Sequence, residues 1–204
     1  MGQAALFVPG FLLLYKPLKK FWIMEDILPF CSIVVLNWNG REHLEECFSS
    51  LSEINYPKGS YEVIMVDNGS SDDSIDFVKK KFPWVRILAL DKNYGFAEGN
   101  NRGMKEAKGD YILVLGNDLK VDKNFLVELV KPMLQDDKIA VCGSKILDYK
   151  NPKMIQYAGA TLDITGAPNH RGSGKSIPAS MKTLPKSSTR LIVLHFTGRP
   201  RWKN

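Results

Sequence analysis

The sequence predicts an α/β fold built around a mostly parallel sheet. Three short apolar runs, at residues 31–36, 61–66 and 111–115, each end in polar residues. The run at 111–115 is bounded by Gly109-Asp110 and Asn117-Asp118, as expected for a strand buried on both faces. Segments with helical spacing separate the runs, and strands alternating with helices are typical of βαβ units. The architecture predicted is Rossmann-like.

The first two helices follow from apolar spacing. Behind the strand at 31–36, the positions that repeat at helical spacing are Leu44, Phe48 and Leu51. A turn at 55–59 leads to the second strand. Ser70 and Asp73 then resemble a capping box, and helix two is expected to end at Pro83. Its apolar face would consist of Ile75, Val78 and Phe82.

The next segment is ambiguous. After a third strand at 85–90, residues 91–103 are too rich in Gly and Asn for an ordinary helix, although Ala97, Met104 and Ala107 permit one. The fourth strand, at 111–115, is followed by Asp122, which is expected to cap a helix that Pro132 ends or kinks. A fifth strand is predicted at 139–142, a strand or hairpin at 157–164 and a loop at 165–175. The apolar run at 191–196 is left unassigned.

Polar residues close the strands. Asp67 and Asp118 end two separate apolar runs, and Asn37, Trp38 and Asn39 end a third. The carboxyl ends of parallel strands border the ligand crevice of an open α/β sheet, so these groups should share one cleft. Amides and carboxylates suit a sugar and a nucleotide. The alternative for each Asp is helix capping or a turn, and Trp38 either covers the sheet edge or stacks on a base.

Composition separates the end of the chain from the rest. The 204 residues are 44% hydrophobic and 25% charged, with a net charge of +6. Residues 151–204 hold 9 Lys and Arg against one acid, whereas residues 1–150 hold 19 against 21 acids. This basic tail is either a solvated end or a contact for phosphates or an anionic membrane. No aromatic-rich basic module indicates nucleic-acid binding.

The cysteines and histidines indicate neither disulfides nor zinc. Cys31, Cys47 and Cys142 are odd in number and lie in or beside apolar runs, as reduced core residues of a cytoplasmic protein would. The three histidines show no ligand spacing with them.

Residues 4–15 are apolar and precede Lys16, Lys19 and Lys20. This order is wrong for a secretory signal, and the run is shorter than the roughly 20 residues of a membrane span. Residues 1–28 are therefore either an unstructured leader or a membrane-surface segment that would place the protein at the inner face of the membrane. We expect one nucleotide-sugar-binding domain at 29–180 and an atypical tail at 181–204.

Four motifs in order carry a family resemblance: residues 32–40 (SIVVLNWNG), 66–72 (VDNGSSD), 93–103 (NYGFAEGNNRG) and 109–118 (GDYILVLGND). Together they resemble the family-two glycosyltransferases with the GT-A fold, especially the branch with rhamnosyltransferases and other surface-polysaccharide and cell-wall enzymes. The resemblance covers about residues 31–170. It implies transfer of a sugar from a dTDP-, UDP- or GDP-sugar to a glycan or lipid-linked acceptor, with inversion at the anomeric carbon.

The resemblance also implies roles for single residues. Asp67 would accept a hydrogen bond from the base imide, and Asp118, the final acid of an Asp-x-Asp motif, would hold Mg²⁺ or Mn²⁺ against the diphosphate. The remaining donor-binding positions that it implies are Asn37, Trp38, Asn39, Asn68, Asn93, Gly95, Asn101 and Asn117.

Two departures from the family pattern matter. Gly116 stands where the first acid or amide of the metal motif is expected, which predicts weaker metal binding. The later Glu-Asp segment that supplies the family's general base is absent, so no catalytic base is identified. From about Met181 the sequence resembles a truncated or frame-shifted reading, which predicts an incomplete acceptor half. The alternative function is a non-catalytic nucleotide-sugar-binding fragment. A receiver-type signalling domain would need an acidic pair where Asn37-Trp38-Asn39 stands.

Overall fold

The structure, a computed structural model, describes residues 28–136, 138–162, 168–170, 172–177 and 192–195. Residues 1–27 of the leader predicted at 1–28, and most of the predicted basic tail, lie outside these residues. The helices are α1 (Arg41–Ser52), α2 (Ser74–Lys81), α3 (Gly95–Glu106) and α4 (Phe125–Gln135). The strands are β1 (Cys31–Asn37), β2 (Tyr61–Asp67), β3 (Arg86–Ala89), β4 (Tyr111–Gly116), β5 (Val141–Gly143), β6 (Ile146–Leu147), β7 (Ile155–Tyr157), β8 (Ala160–Leu162), β9 (Pro168–His170) and β10 (Ile192–His195).

Six strands form the central sheet in the order β3-β2-β1-β4-β10-β5. β1 pairs in parallel with β2 and β4, and β2 pairs in parallel with β3. The predicted mostly parallel α/β sheet is therefore confirmed. The apolar run at 191–196 contains β10, which lies antiparallel between β4 and β5.

Apolar residues cover both faces of this sheet. Ile33 and Val35 of β1 belong to the larger core cluster, which also contains the buried hydrophobic residues of α1 and α4. Val34 belongs to a second cluster with Ile64 and Ile112, and the half-buried Met104 of α3 packs against it. Successive residues of a strand point to opposite faces. β1 and β4 are therefore buried on both sides, as their continuous apolar runs predicted.

The ambiguous segment forms a helix, α3, from Gly95 to Glu106. Its glycines explain why propensity alone is a poor guide here. A Cβ on Gly103 would lie 2.5 Å from both Val34 Cγ1 and Val66 Cγ2, and one on Gly99 would lie 2.7 Å from Leu36 Cδ1. The missing side chains let the helix backbone approach β1 and β2 closely, and the resulting packing stabilises the helix.

Several local predictions are wrong. α2 begins at Ser74, four residues after Ser70, and the Ser74 N–H donates to Asp72 Oδ1 and not to Ser70. Pro132 does not end α4, which continues to Gln135, because the packing of its apolar face outweighs one missing backbone hydrogen bond. Part of the predicted loop at 165–175 is β9, which pairs with β8. Asp122 Oδ1 does accept a hydrogen bond from Asn124 N, just before α4 begins.

Candidate functional site

The register of the sheet brings three strand ends together. Asn37 of β1 pairs with Asp67 of β2, and Leu36 pairs with Gly116 at the end of β4. The Asn37 side chain donates from Nδ2 to Asp67 Oδ1 at 3.0 Å and accepts at Oδ1 from Asn117 Nδ2 at 2.6 Å. Asn37 is fully buried and Asp67 is 1% exposed. These side chains therefore form one continuous hydrogen-bonded row.

Gly40 keeps the space that this row needs. A Cβ at this position would lie 2.1 Å from Asn117 Nδ2 and 2.9 Å from Asn37 Oδ1. Glycine is thus required at the turn after β1 because the two amides occupy the volume of a side chain.

The loop after β2 is tied to the end of β1 through Ser70. Asp67 Oδ2 accepts from Ser70 N at 3.0 Å, and Ser70 Oγ accepts from Asn39 N at 2.9 Å. Asn39 has a φ of +47°, and its Oδ1 accepts from Ser71 N at 2.8 Å. Asparagine tolerates this left-handed conformation better than most residues. The Ser70 hydroxyl is therefore engaged with β1 and is not available to cap α2.

Asn68 holds the loop after β3. Its Oδ1 accepts from Tyr94 N at 3.0 Å, and its Nδ2 donates to Asn93 Oδ1 at 2.9 Å and to the Gly95 carbonyl at 3.2 Å. Gly69, with a φ of +72°, brings its Cα so close that a Cβ would lie 2.5 Å from the Lys92 carbonyl carbon. The segment that begins α3 is therefore fixed against the end of β2.

The predicted site residues divide into buried and exposed groups. Three form the base of the site and are buried: Asn37, Asp67 and Asn68. The exposed ones are Trp38, Asn39, Asn93, Gly95, Asn101 and Asp118, and Asn117 is half-buried. Trp38 exposes 55% of its surface, which leaves its indole free to contact a ligand. Asp67 and Asp118 are linked through Asn37 and Asn117, so the structure brings the ends of these strands together as predicted.

Asp118 lies over the position that a side chain on residue 116 would take. A Cβ on Gly116 would lie 2.7 Å from Asp118 Oδ1. Among the described residues no group of three or more His, Cys, Asp or Glu could hold a metal ion. A single carboxylate does fit a hard cation that takes its other ligands from phosphate and water.

The nearby Cys47 does not add a ligand or nucleophile. Its Sγ lies 4.0 Å from the Gly116 carbonyl oxygen. Burial, and then the negative charge of Asp118, raise the pKa of the Cys47 thiol to about 12. The thiol is protonated at neutral pH, and only a thiolate is a good ligand or nucleophile.

Three residues that lie at or beside the site were not among the predicted site residues: Gly40, Ser70 and Asn100. Asn100 is 4% exposed and donates from Nδ2 to the Phe96 carbonyl at 2.8 Å. Its Oδ1 has no hydrogen-bond partner within the described part of the chain. The neighbouring Asn101, which was predicted to bind the donor, is exposed on the other side of α3 from the buried glycines. Asn100 lies on the same face of α3 as Gly99 and Gly103, and this helical spacing was the signal that Asn100, and not Asn101, is buried.

The chain is similar to known proteins in sequence and in fold. A family model described as glycosyl transferase family 2 matches residues 32–184. The glycosyltransferase AglE of Haloferax volcanii is 28% identical over 106 residues, covering 50% of this chain and 35% of the relative. The dolichol-phosphate mannosyltransferase of Pyrococcus furiosus is 31% identical over 114 residues, covering 54% and 32%. The poly-beta-1,6-N-acetyl-D-glucosamine synthase of Staphylococcus aureus is 26% identical over 183 residues, covering 85% and 44%.

One solved structure shows the fold. The mannosyltransferase PcManGT of Pyrobaculum calidifontis, in complex with GDP-Man and Mn²⁺, matches 84% of this chain and 46% of its own, with a TM-score of 0.60 and 17% identity. The GT-A fold implied by the sequence resemblance is therefore confirmed. The chain spans less than half the length of each of these relatives.

Proposed function

Because the chain belongs to glycosyl transferase family 2, we propose that it binds a nucleotide diphosphate sugar and takes part in transferring the sugar to a polysaccharide or lipid-linked acceptor. The hydrogen-bonded row that joins the ends of β1, β2 and β4 supports this proposal, since Asp67 belongs to the row and Asp118 follows its last member, Asn117. The donor is a dTDP-, UDP- or GDP-sugar, with rhamnose as the proposed sugar.

Asp67 is the proposed reader of the base. Each of its two oxygens accepts one hydrogen bond from the protein, from Asn37 Nδ2 and from Ser70 N. A carboxylate oxygen has two lone pairs, so an imide N–H of the base can donate to one that remains. The exposed Trp38 ring stacks on the same base in this proposal.

Asp118 is the proposed ligand of Mg²⁺ or Mn²⁺. Such a cation offsets the negative charge that develops on the departing diphosphate. Asp118 is exposed, and the Gly116 position leaves room for its carboxylate. The proposed contacts to the ribose and sugar are Asn93, which precedes α3, and Gly95 and Asn101, which lie within it. Inversion at the anomeric carbon needs a base for the acceptor hydroxyl, and no residue of this chain is assigned to that role.

The second candidate is a nucleotide-sugar-binding fragment without turnover. No Glu-Asp pair follows β4 in the 204 residues, so no residue among them is assigned as the general base, and these residues taken alone would bind the donor without rapid transfer. No helix of the described residues is long and apolar enough to cross a membrane. Contact of residues 1–28 with the inner membrane surface remains a separate proposal.

Calorimetry with UDP, dTDP and GDP in the presence of MnCl₂ tests the proposal. We expect one of them to bind, and Asp67→Asn and Asp118→Asn to weaken it about tenfold or more, since each removes a charged hydrogen bond or a metal ligand. Asp110→Asn is the matched control, because this exposed carboxylate precedes β4 at its opposite end. Nucleotide release from the corresponding sugars distinguishes transfer from binding alone. If wild-type protein binds none of the three nucleotides, both candidates are wrong.

A further inference from the structure

We propose that Asn37 is a positioning residue that couples the nucleotide half of the site to the metal half and does not itself bind the donor. The inference rests on the proposed function and changes the role that the resemblance implied for this residue. Asn37 holds Asp67 on one side and the Asn117-Asp118 segment on the other.

The Asn37 amide has almost no capacity left for a ligand. Its two N–H groups are used, one toward Asp67 Oδ1 at 3.0 Å and one toward Ser70 Oγ at 3.3 Å. Its oxygen accepts from Asn117 Nδ2 at 2.6 Å. Only one lone pair of its oxygen remains, and the residue is 0% exposed.

The orientation of the amide follows from chemistry. A carboxylate accepts hydrogen bonds and has none to donate, so the nitrogen of Asn37 must face Asp67. The oxygen of Asn37 therefore faces Asn117, which must present its own nitrogen. An asparagine donates on one side and accepts on the other. A carboxylate at this position would repel Asp67, and an aliphatic side chain would remove the hydrogen bonds to Asp67 Oδ1 and from Asn117 Nδ2.

The topology explains why this residue has the coupling role. β1 lies between β2 and β4 in the central sheet and is hydrogen-bonded to both. Its last residue, Asn37, is therefore beside Asp67 on one neighbour and beside the segment that follows β4 on the other. Gly40 keeps the volume beside Asn37 and Asn117 free of a side chain. The site is thus held by one buried amide between two strands.

The coupling predicts that one substitution affects two measurements. Calorimetry with uridine, thymidine and guanosine reports the Asp67 half. The additional affinity gained with the matching diphosphate and MnCl₂ reports the Asn117-Asp118 half. Asn37→Ala in the full 204-residue chain is expected to lower both quantities about fivefold to tenfold. Asp67→Asn is expected to lower the nucleoside affinity and to leave the additional affinity within about twofold.

A double variant separates positioning from direct binding. In Asn37→Asp/Asp67→Asn the carboxylate and the amide exchange places, so the hydrogen bond between β1 and β2 is restored with reversed polarity. The introduced carboxylate still accepts from Asn117 Nδ2. We expect the additional affinity to return to within about twofold of wild type, while the nucleoside affinity stays as low as in Asp67→Asn. Asn37→Asp alone places two carboxylates about 3 Å apart and is expected to lower both quantities.

The controls address folding. Asn55→Ala removes another Asn–Asn hydrogen bond, from Asn55 Nδ2 to Asn124 Oδ1 at 2.7 Å, at an exposed position outside the row. It is expected to change neither quantity. Circular dichroism and thermal melting show which variants are folded at the assay temperature. If Asn37→Ala does not fold, the inference is tested with the double variant, because the double variant keeps the buried hydrogen bonds.

Three results overturn the inference. Asn37→Ala could lower the nucleoside affinity alone, which assigns Asn37 to the base contact. Asn37→Ala could lower neither quantity. In the double variant, the additional affinity could stay as low as in Asn37→Ala. Each of these leaves the proposed function standing as long as wild-type protein binds a nucleotide with Mn²⁺. Failure of wild-type protein to bind any probe overturns the proposed function, and the inference with it.

Discussion

The residues that build the site are small or have a terminal amide, and each is fixed by a specific neighbour. Gly40 leaves room for Asn117, Gly69 allows close approach to Lys92, and Asn68 binds backbone groups of the loop before α3. Most of these groups face each other rather than solvent. In the proposed function, their contribution to binding is therefore the placement of Asp67, Asp118 and Trp38.

The first prediction concerns Gly40. Gly40→Ala places a Cβ within 2.1 Å of Asn117 Nδ2, so the amide of Asn117 must move away from Asn37. We expect a loss of about 1–3 kcal/mol in the free energy of unfolding, measured by urea denaturation. Nucleotide affinity should also fall, because the segment with Asp118 moves with Asn117.

Gly59→Ala is the control for Gly40→Ala. Gly59 has a φ of +97°, and a Cβ there would meet no atom within 4 Å. Strain in the backbone should cost it about 1–2 kcal/mol of stability, with nucleotide affinity unchanged. Wild-type affinity in Gly40→Ala would contradict the role given to this glycine.

Among the elements, α3 is the one that tertiary contacts determine most. Its sequence contains three glycines and two asparagines, which are poor helix formers. Gly99 and Gly103 nevertheless face β1 and β2, where any side chain would collide with Leu36, Val34 or Val66. Close packing of the helix on the sheet replaces the propensity that the sequence lacks.

The second prediction concerns Gly103. Alanine favours a helix over glycine by about 1 kcal/mol, whereas overpacking of a core costs about 1–3 kcal/mol. The introduced Cβ would lie 2.5 Å from Val34 and Val66, which are stiff because they branch at Cβ. We therefore expect Gly103→Ala to be destabilising by urea denaturation.

Lys105→Ala tests helix propensity alone, because Lys105 is exposed on the same helix. Its free energy of unfolding should stay within about 0.5 kcal/mol of wild type. A stabilised Gly103→Ala variant would mean that propensity outweighs the contact with the sheet.

For the whole molecule, buried weak acids connect stability to pH. Burial raises the pKa of the Cys31 thiol to about 11, against a smaller opposing effect of its hydrogen bond to Tyr56. The pKa of Cys47 rises to about 12, and burial also raises the pKa of Tyr56. In the unfolded chain these thiols ionise near pH 9.0.

The third prediction follows from the sign of these shifts. Above about pH 9 the unfolded chain loses protons that the folded chain keeps, so each thiol lowers stability by about 1.4 kcal/mol per pH unit until its folded pKa is reached. The contribution of the buried, protonated thiols to the free energy of unfolding is complete below about pH 9 and is lost progressively above that pH. Urea denaturation in steps from about pH 8 to about pH 11 measures this slope.

Cys47→Ala should reduce the dependence of the free energy of unfolding on pH by the contribution of one thiol, about 1.4 kcal/mol per pH unit. Cys142 is only half-buried and serves as the comparison, because Cys142→Ala should change the slope less. A free energy of unfolding that is constant over this range would contradict the prediction.

The sequence by itself determined the parallel strands and the polar residues at their ends. Continuous apolar runs predicted β1, β2 and β4, and the polar residues after them, with Asp67 closing β2, predicted the site. These features depend on local periodicity and on the general geometry of α/β sheets. The family resemblance added the GT-A fold, which the solved structure of a relative confirms.

Only the tertiary structure decided how these groups are used. The Ser70 hydroxyl is hydrogen-bonded to Asn39 and Asn37 and does not cap α2. The amide of Asn37 is hydrogen-bonded to both Asp67 and Asn117. β10 lies between β4 and β5. The physical reason is that each of these choices depends on partners far away along the chain. Strand register and close contact bring such partners together, and neither is encoded in the local pattern of residues.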